Sequence, residues 1–247
     1  MEQSEDNYVP FKDGLSDELL NYDKDYLPPS QVREFDTNPD KVVRITTMQS
    51  KTVSGVDRLN QKNNPEGSAS SIEYIRMAKE HFGEASHYIN IPDHQFIIGE
   101  HPDTKGYPTV YTVTDKVVGR ILDYEISDPN SKLSDGELVE FYQALVNYYK
   151  AASTRKGDYL SDLNRHEQFM YGHTAIDPKN RIYLIDLDLI LVRGDISDSI
   201  NSRNTLWNKL EHTRLMVDEA KKARGEVFSP ILDQIIELQH AVMPERY

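Results

Sequence analysis

The first hint of chemistry in this chain is a pair of carboxylates, Asp186 and Asp188, which follow the strand-like run Arg181 to Ile185. The stretch from Arg165 to Leu189 reads RHEQFMYGHTAIDPKNRIYLIDLDL. Asp177-Pro178-Lys179-Asn180 has the composition of a tight turn, and Thr174 to Asp177 reads as a second short strand. Together they predict a hairpin that delivers Asp186 at a strand end. Residues i and i+2 of a strand share a face, so both carboxylates can meet one hard cation. The plainer reading of the same residues is a pair of turn or helix-cap carboxylates after a buried strand.

Such a hairpin needs elements to hold it. Lys41 to Met48, KVVRITTM, is β-branched and predicts a strand; Gln95 to Gly99 and Thr109 to Val118 predict two more, joined through the turn-rich His101 to Pro108. Gln49 to Ser68 is polar and reads as a loop. Two capping boxes mark helix starts. Ser70 with Glu73 opens a helix whose Ile72, Ile75, Ala78 and Phe82 recur at helical spacing up to Gly83. Ser134 with Glu137 opens another with the stripe Leu138, Phe141, Leu145 and Tyr148. Asn204 to Arg224 predicts a third helix, stopped by Gly225, and Ser229-Pro230 starts a fourth that ends near Val242. The order is a strand-rich half with one helix and then a helix-rich half, dividing near Val118 to Glu125.

These features resemble the protein-kinase-like superfamily, in particular its small aminoglycoside-phosphotransferase-like branch. The pattern there is His-x-Asp, four residues, Asn, a hairpin, and an Asp at a strand end. Laid on this chain without a gap, His166 takes the His position and Asp186 the metal-binding Asp, while Gly172, Ile176, Asp177 and the run YLID fit the framing positions. Thr109 to Leu122 resembles a central lobe strand followed by a hinge at Gly119. By the same resemblance, the helix from Ser134 precedes the catalytic loop. The helix from Ser70 supplies an ion-pairing acid, Glu73 or Glu80, and Lys41-Val42-Val43-Arg44 is the strand that presents a phosphate-binding Lys. The implied fold class is α+β, a two-lobed kinase-like fold. It comprises an N-terminal arm over 1–40, pinned by its aromatic residues or mobile, a small antiparallel-sheet N-lobe with one helix over 41–122, and a reduced helical C-lobe over 123–247. Only residues 187 to 247 follow Asp186, too few for the full activation segment of a regulated protein kinase, which favours a small-molecule-kinase-like ancestor.

Four departures from the pattern carry the functional expectation. The base position falls on Gln168, a neutral amide that can orient a hydroxyl but cannot take its proton. The Asn position falls on His173, whose imidazole suits Zn, Ni or Cu better than Mg. The Lys position falls on Arg44, which keeps the charge but not the compact shape. No Gly-rich phosphate loop stands in residues 20–45. The resemblance therefore implies catalytic positions at Gln168 (degenerate) and His166 (mainly structural), cofactor-binding positions at Arg44 and Glu73, and metal positions at Asp186, Asp188 and His173. Their joint alteration predicts a pseudokinase, a binding or scaffolding module for a protein partner or small molecule, with weak or no nucleotide affinity. The alternative is an atypical ATP-dependent phosphotransferase or adenylyltransferase. In it Asp186, Asp188 and His173 would hold a divalent metal, Gln168 would position the acceptor and Arg44 would contact phosphates. A third reading is an unrelated α+β protein with an Asp-x-Asp hairpin.

Composition narrows the classes. A chain of 247 residues buries roughly 70 to 75% of its unfolded surface and needs no covalent staple. The absence of cysteine excludes disulfides, thiolate metal sites and a cysteine nucleophile. A net charge of −13 argues against nucleic-acid binding, which needs clustered Lys and Arg, and against anionic membranes. His81, His87, His94 and His101 match no compact zinc spacing. Met1 to Pro10 lacks the basic and apolar regions of a secretory signal, and no stretch reaches the roughly 20 apolar residues of a membrane span. The expectation is a soluble, cytoplasmic, acidic protein.

Overall fold

The computed structural model describes residues 8–10, 31–34, 38–47, 89–92, 94–100, 108–154, 159–160, 163, 165–185, 191–192 and 200–246, with side chains described for most of those beyond 112. Two compact units contain them, one within 1–76, 92–116 and 174–176, the other within 77–91, 117–173 and 177–247.

The first unit is a five-stranded sheet. Its strands are β1 (Tyr8–Pro10), β2 (Gln31–Glu34), β3 (Lys41–Thr47), β5 (His94–Glu100) and β6 (Pro108–Asp115); β4 (Ile89–Asn90) belongs to the other unit. The order is β1-β5-β6-β3-β2, antiparallel except for β1 on β5. β-branched residues dominate β3 and β6, as a pleated, half-buried surface favours. Lys41 and Asp115, opposite each other in register, close the β3–β6 pair with an ion pair of 2.5 Å, and Lys116 N–H donates to Asp40 O at 2.8 Å. Two strands of this sheet, β1 and β2, come from residues read as a separate arm. The predicted helix from Ser70 lies outside the described residues.

The second unit combines a four-stranded sheet with helices. Its strands are β4 (Ile89–Asn90), β7 (Val118–Ile121), β9 (Phe169–His173) and β10 (Arg181–Leu184), in the order β4-β10-β9-β7. A separate pair joins β8 (Tyr159–Leu160) to β11 (Leu191–Val192). The helices are α1 (Leu122–Ser127), α2 (Asp135–Thr154), α3 (Ile200–Arg224) and α4 (Ser229–Val242). The expected single strand from Thr109 to Val118 is thus two strands in two sheets, parted at 116–117. No Gly or Pro marks that break.

α2 starts where its capping box predicts: Ser134 Oγ accepts the Glu137 N–H at 3.2 Å, and the Glu137 carboxylate accepts the Ser134 N–H at 2.9 Å. Leu138, Phe141, Leu145 and Tyr148 are all buried, as are Tyr142 and Tyr149. Phe141 meets Phe169 of β9 edge-on at 4.9 Å between ring centres, and Tyr142 meets Phe228 at 6.0 Å. Burying each such side chain stabilises by roughly 1.5 to 3 kcal/mol. On α3, Leu206, Leu210, Thr213, Val217 and Ala220 form the buried stripe, and on α4 Ile231, Ile235, Gln239 and Val242 do so. α3 stops at Gly225, whose φ of 107° only glycine adopts freely.

One pair of glycines shapes the sheet. Gly119 of β7 faces Gly172 of β9 in register. A Cβ at Gly119 would stand 2.6 Å from the Gly172 Cα and clash with the Tyr171 carbonyl; one at Gly172 would meet the Val118 carbonyl. Both clashes are with backbone, which no rotamer change relieves, so the two strands approach closely only because neither residue has a side chain. Among the described residues no helix is long and apolar enough to cross a membrane.

Candidate functional site

The hairpin expected before Asp186 exists, with a different first strand. β9 is Phe169–His173, and residues 174–180 form the connection that was read in part as a strand over Thr174 to Asp177. Its register pairs Leu184 with Phe169 and Arg181 with Gly172. Asp177 organises the connection: its carboxylate accepts the Lys179 N–H at 3.1 Å and the Arg181 Nε–H at 2.6 Å. The Arg181 side chain, followed by the Lys179 amide, holds the Asp177 carboxyl below the usual carboxylate range.

The segment from His166 to His173, which the resemblance lays on the catalytic loop, holds a turn and a strand. His166–Gln168 is a single 3-10 turn, and the chain then goes straight into β9. Five residue steps of extended chain lead from Gln168 to His173, about 16 Å at ~3.3 Å per step. His173 ends β9 opposite Val118 of β7, while Ile185 N–H donates to Gln168 O at 2.9 Å at the other end of the hairpin. The structure therefore brings Gln168 beside the end of β10 and places His173 far from it. Asp186, Asp188 and Glu73 lie outside the described residues. Arg44 occupies β3, opposite Thr112 of β6 and Val32 of β2.

Gln168 is 5% exposed. Its Oε1 accepts the Arg165 N–H at 3.0 Å, and its own N–H donates to Arg165 O at 3.2 Å. The Gln168 side chain thus closes its own turn, a capping role that its sequence position does not announce. Replacing Gln168 by alanine is expected to destabilise the protein by about 1 kcal/mol through the lost cap, read from the denaturant midpoint.

His166 is 3% exposed and sits where the turn meets α1, α2 and α3. Its Nε2 is 2.7 Å from the Tyr142 hydroxyl of α2, which also lies 3.3 Å from the Met216 carbonyl of α3. Its Nδ1 is 3.7 Å from Asp123 of α1 and 3.6 Å from Glu219 of α3. Two carboxylates on the Nδ1 side favour the proton there, so Nε2 accepts from Tyr142. Burial pushes the imidazole down to about 4, against the upward pull of Asp123 and then Glu167, and His166 is neutral near pH 7. Burial, reinforced by Glu219, pushes the Tyr142 hydroxyl well up, so it keeps its proton. This is a neutral buried pair that anchors the turn to the helices.

A second anchor holds the loop between α1 and α2. Arg224, the last residue of α3, donates from Nε to Ile126 O at 3.0 Å, from Nη2 to Glu125 O at 2.5 Å, and from Nη1 to Leu133 O at 2.7 Å and the Asp135 carboxylate at 3.1 Å. It satisfies carbonyls that the end of α1 leaves open and sets a cation at that helix's negative end. Its mechanism was not legible beforehand, because its partners lie some 90 or more residues away in sequence. Among the described residues no group of three His, Asp or Glu side chains converges so as to hold a metal ion.

No protein-family model matches the chain, and no curated protein matches it. Among solved structures it is similar to the Mycobacterium tuberculosis PknI kinase domain, with 13% identity over 88% of this chain and 90% of that one at a TM-score of 0.36. It is also similar to the MAP kinase LmaMPK10 from Leishmania major, with 14% identity over 87% of this chain and 65% of that one at a TM-score of 0.33. Likenesses at scores this low assign neither an activity nor a branch. The chain is a mixed α+β protein of two compact units with small sheets.

Proposed function

We propose that this chain is a kinase-like domain that has given up phosphoryl transfer and serves as a binding or scaffolding module. The observation that carries the reading is Gln168: the residue at the position of the family's base is a neutral amide, buried, with its oxygen engaged by the Arg165 N–H at 3.0 Å. Such a group neither accepts a substrate proton nor faces a substrate. The chain order supports the kinase-like part, with a sheet-built unit, then α2, the 166–168 turn, a hairpin and a strand that leads to residue 186. Asp186 and Asp188 are the residues proposed to descend from a metal site, with Arg44 and Glu73 from a phosphate-binding pair. His173, at the far end of β9 from Ile185, is left out of that set, and no chemical step is assigned to a metal.

Thermal unfolding with and without millimolar ATP and Mg tests the reading. A ligand at a hundred times its Kd stabilises by about 2.7 kcal/mol. The expected result is a much smaller shift that is the same in wild type and Asp186→Ala. A large ATP-dependent shift that Asp186→Ala abolishes would contradict the low nucleotide affinity and favour the transferase alternative.

A further inference from the structure

We draw no further inference here: the strongest candidate, the cluster at the junction of α1, α3 and the 166–168 turn in which Asp123 and Glu219 face the buried His166 Nδ1, has both carboxylates beyond hydrogen-bonding reach at 3.7 and 3.6 Å, and no second observation in the structure shows what it would hold.

Discussion

Replacing Arg224 by leucine is expected to destabilise the protein by about 3 to 5 kcal/mol, because the buried carbonyls it serves lose a charged donor and leucine offers none. The Arg224 side chain is only 12% exposed, and its guanidinium reaches the Glu125, Ile126 and Leu133 carbonyls at 2.5, 3.0 and 2.7 Å. Lysine at this position keeps the charge but not the planar fork, so it reaches one of these carbonyls and recovers less than half of the loss. The Asp135 carboxylate, 49% exposed, contributes little, and Asp135→Asn is expected to change stability by less than about 1 kcal/mol. Denaturant midpoints for the three variants check the order. A leucine variant as stable as the wild type would mean that water replaces the clamp without cost.

Stability is expected to fall by about 3 kcal/mol as the pH drops from 6.5 to 4, through His166 alone. Folded, the imidazole binds its proton only near pH 4, because burial opposes the charge; unfolded, it binds it near 6.5. Between these values the unfolded chain carries the extra proton, so acid favours unfolding, and the contribution is fully present above about pH 6.5. The slope reaches about 1.4 kcal/mol per pH unit inside the window. A His166→Gln variant lacks the titrating group and should be flatter over the same range, whatever its absolute stability. Guanidinium unfolding of both proteins at several pH values reads this difference; parallel curves would place the acid sensitivity elsewhere.

Several elements were legible from local signals. The Ser134–Glu137 capping box, the apolar stripe of α2, the Gly225 stop and the Pro at the start of α4 each encode their element within a few residues. The strand that leads toward Asp186 was legible for the same reason. What escaped depended on distant partners. Gly172 and His173 look like loop residues in isolation; the close approach of Gly119, more than 50 positions earlier, is what makes Gly172 a strand residue. The first strand of the hairpin is therefore Phe169–His173 rather than Thr174 to Asp177, and His173 lies at the other end of β9 from Ile185. Likewise His166 was readable as a packed histidine, but Tyr142 and Glu219 meet it only once α2 and α3 are folded. Two strands from residues 1–40 join the first unit's sheet through β5 and β3, pairings that their own composition does not announce.

We propose that Gln168, which the resemblance lays on the kinase base position, is a structural residue. Incubation with ATP labelled at the γ-phosphate, together with Mg or Mn, measures it most directly by following label transfer to the protein or to candidate hydroxyl acceptors and release of inorganic phosphate. Neither transfer nor release above the buffer rate is expected, in wild type and in Gln168→Ala alike. Phosphoryl transfer by the wild type that Asp186→Ala removes would contradict it.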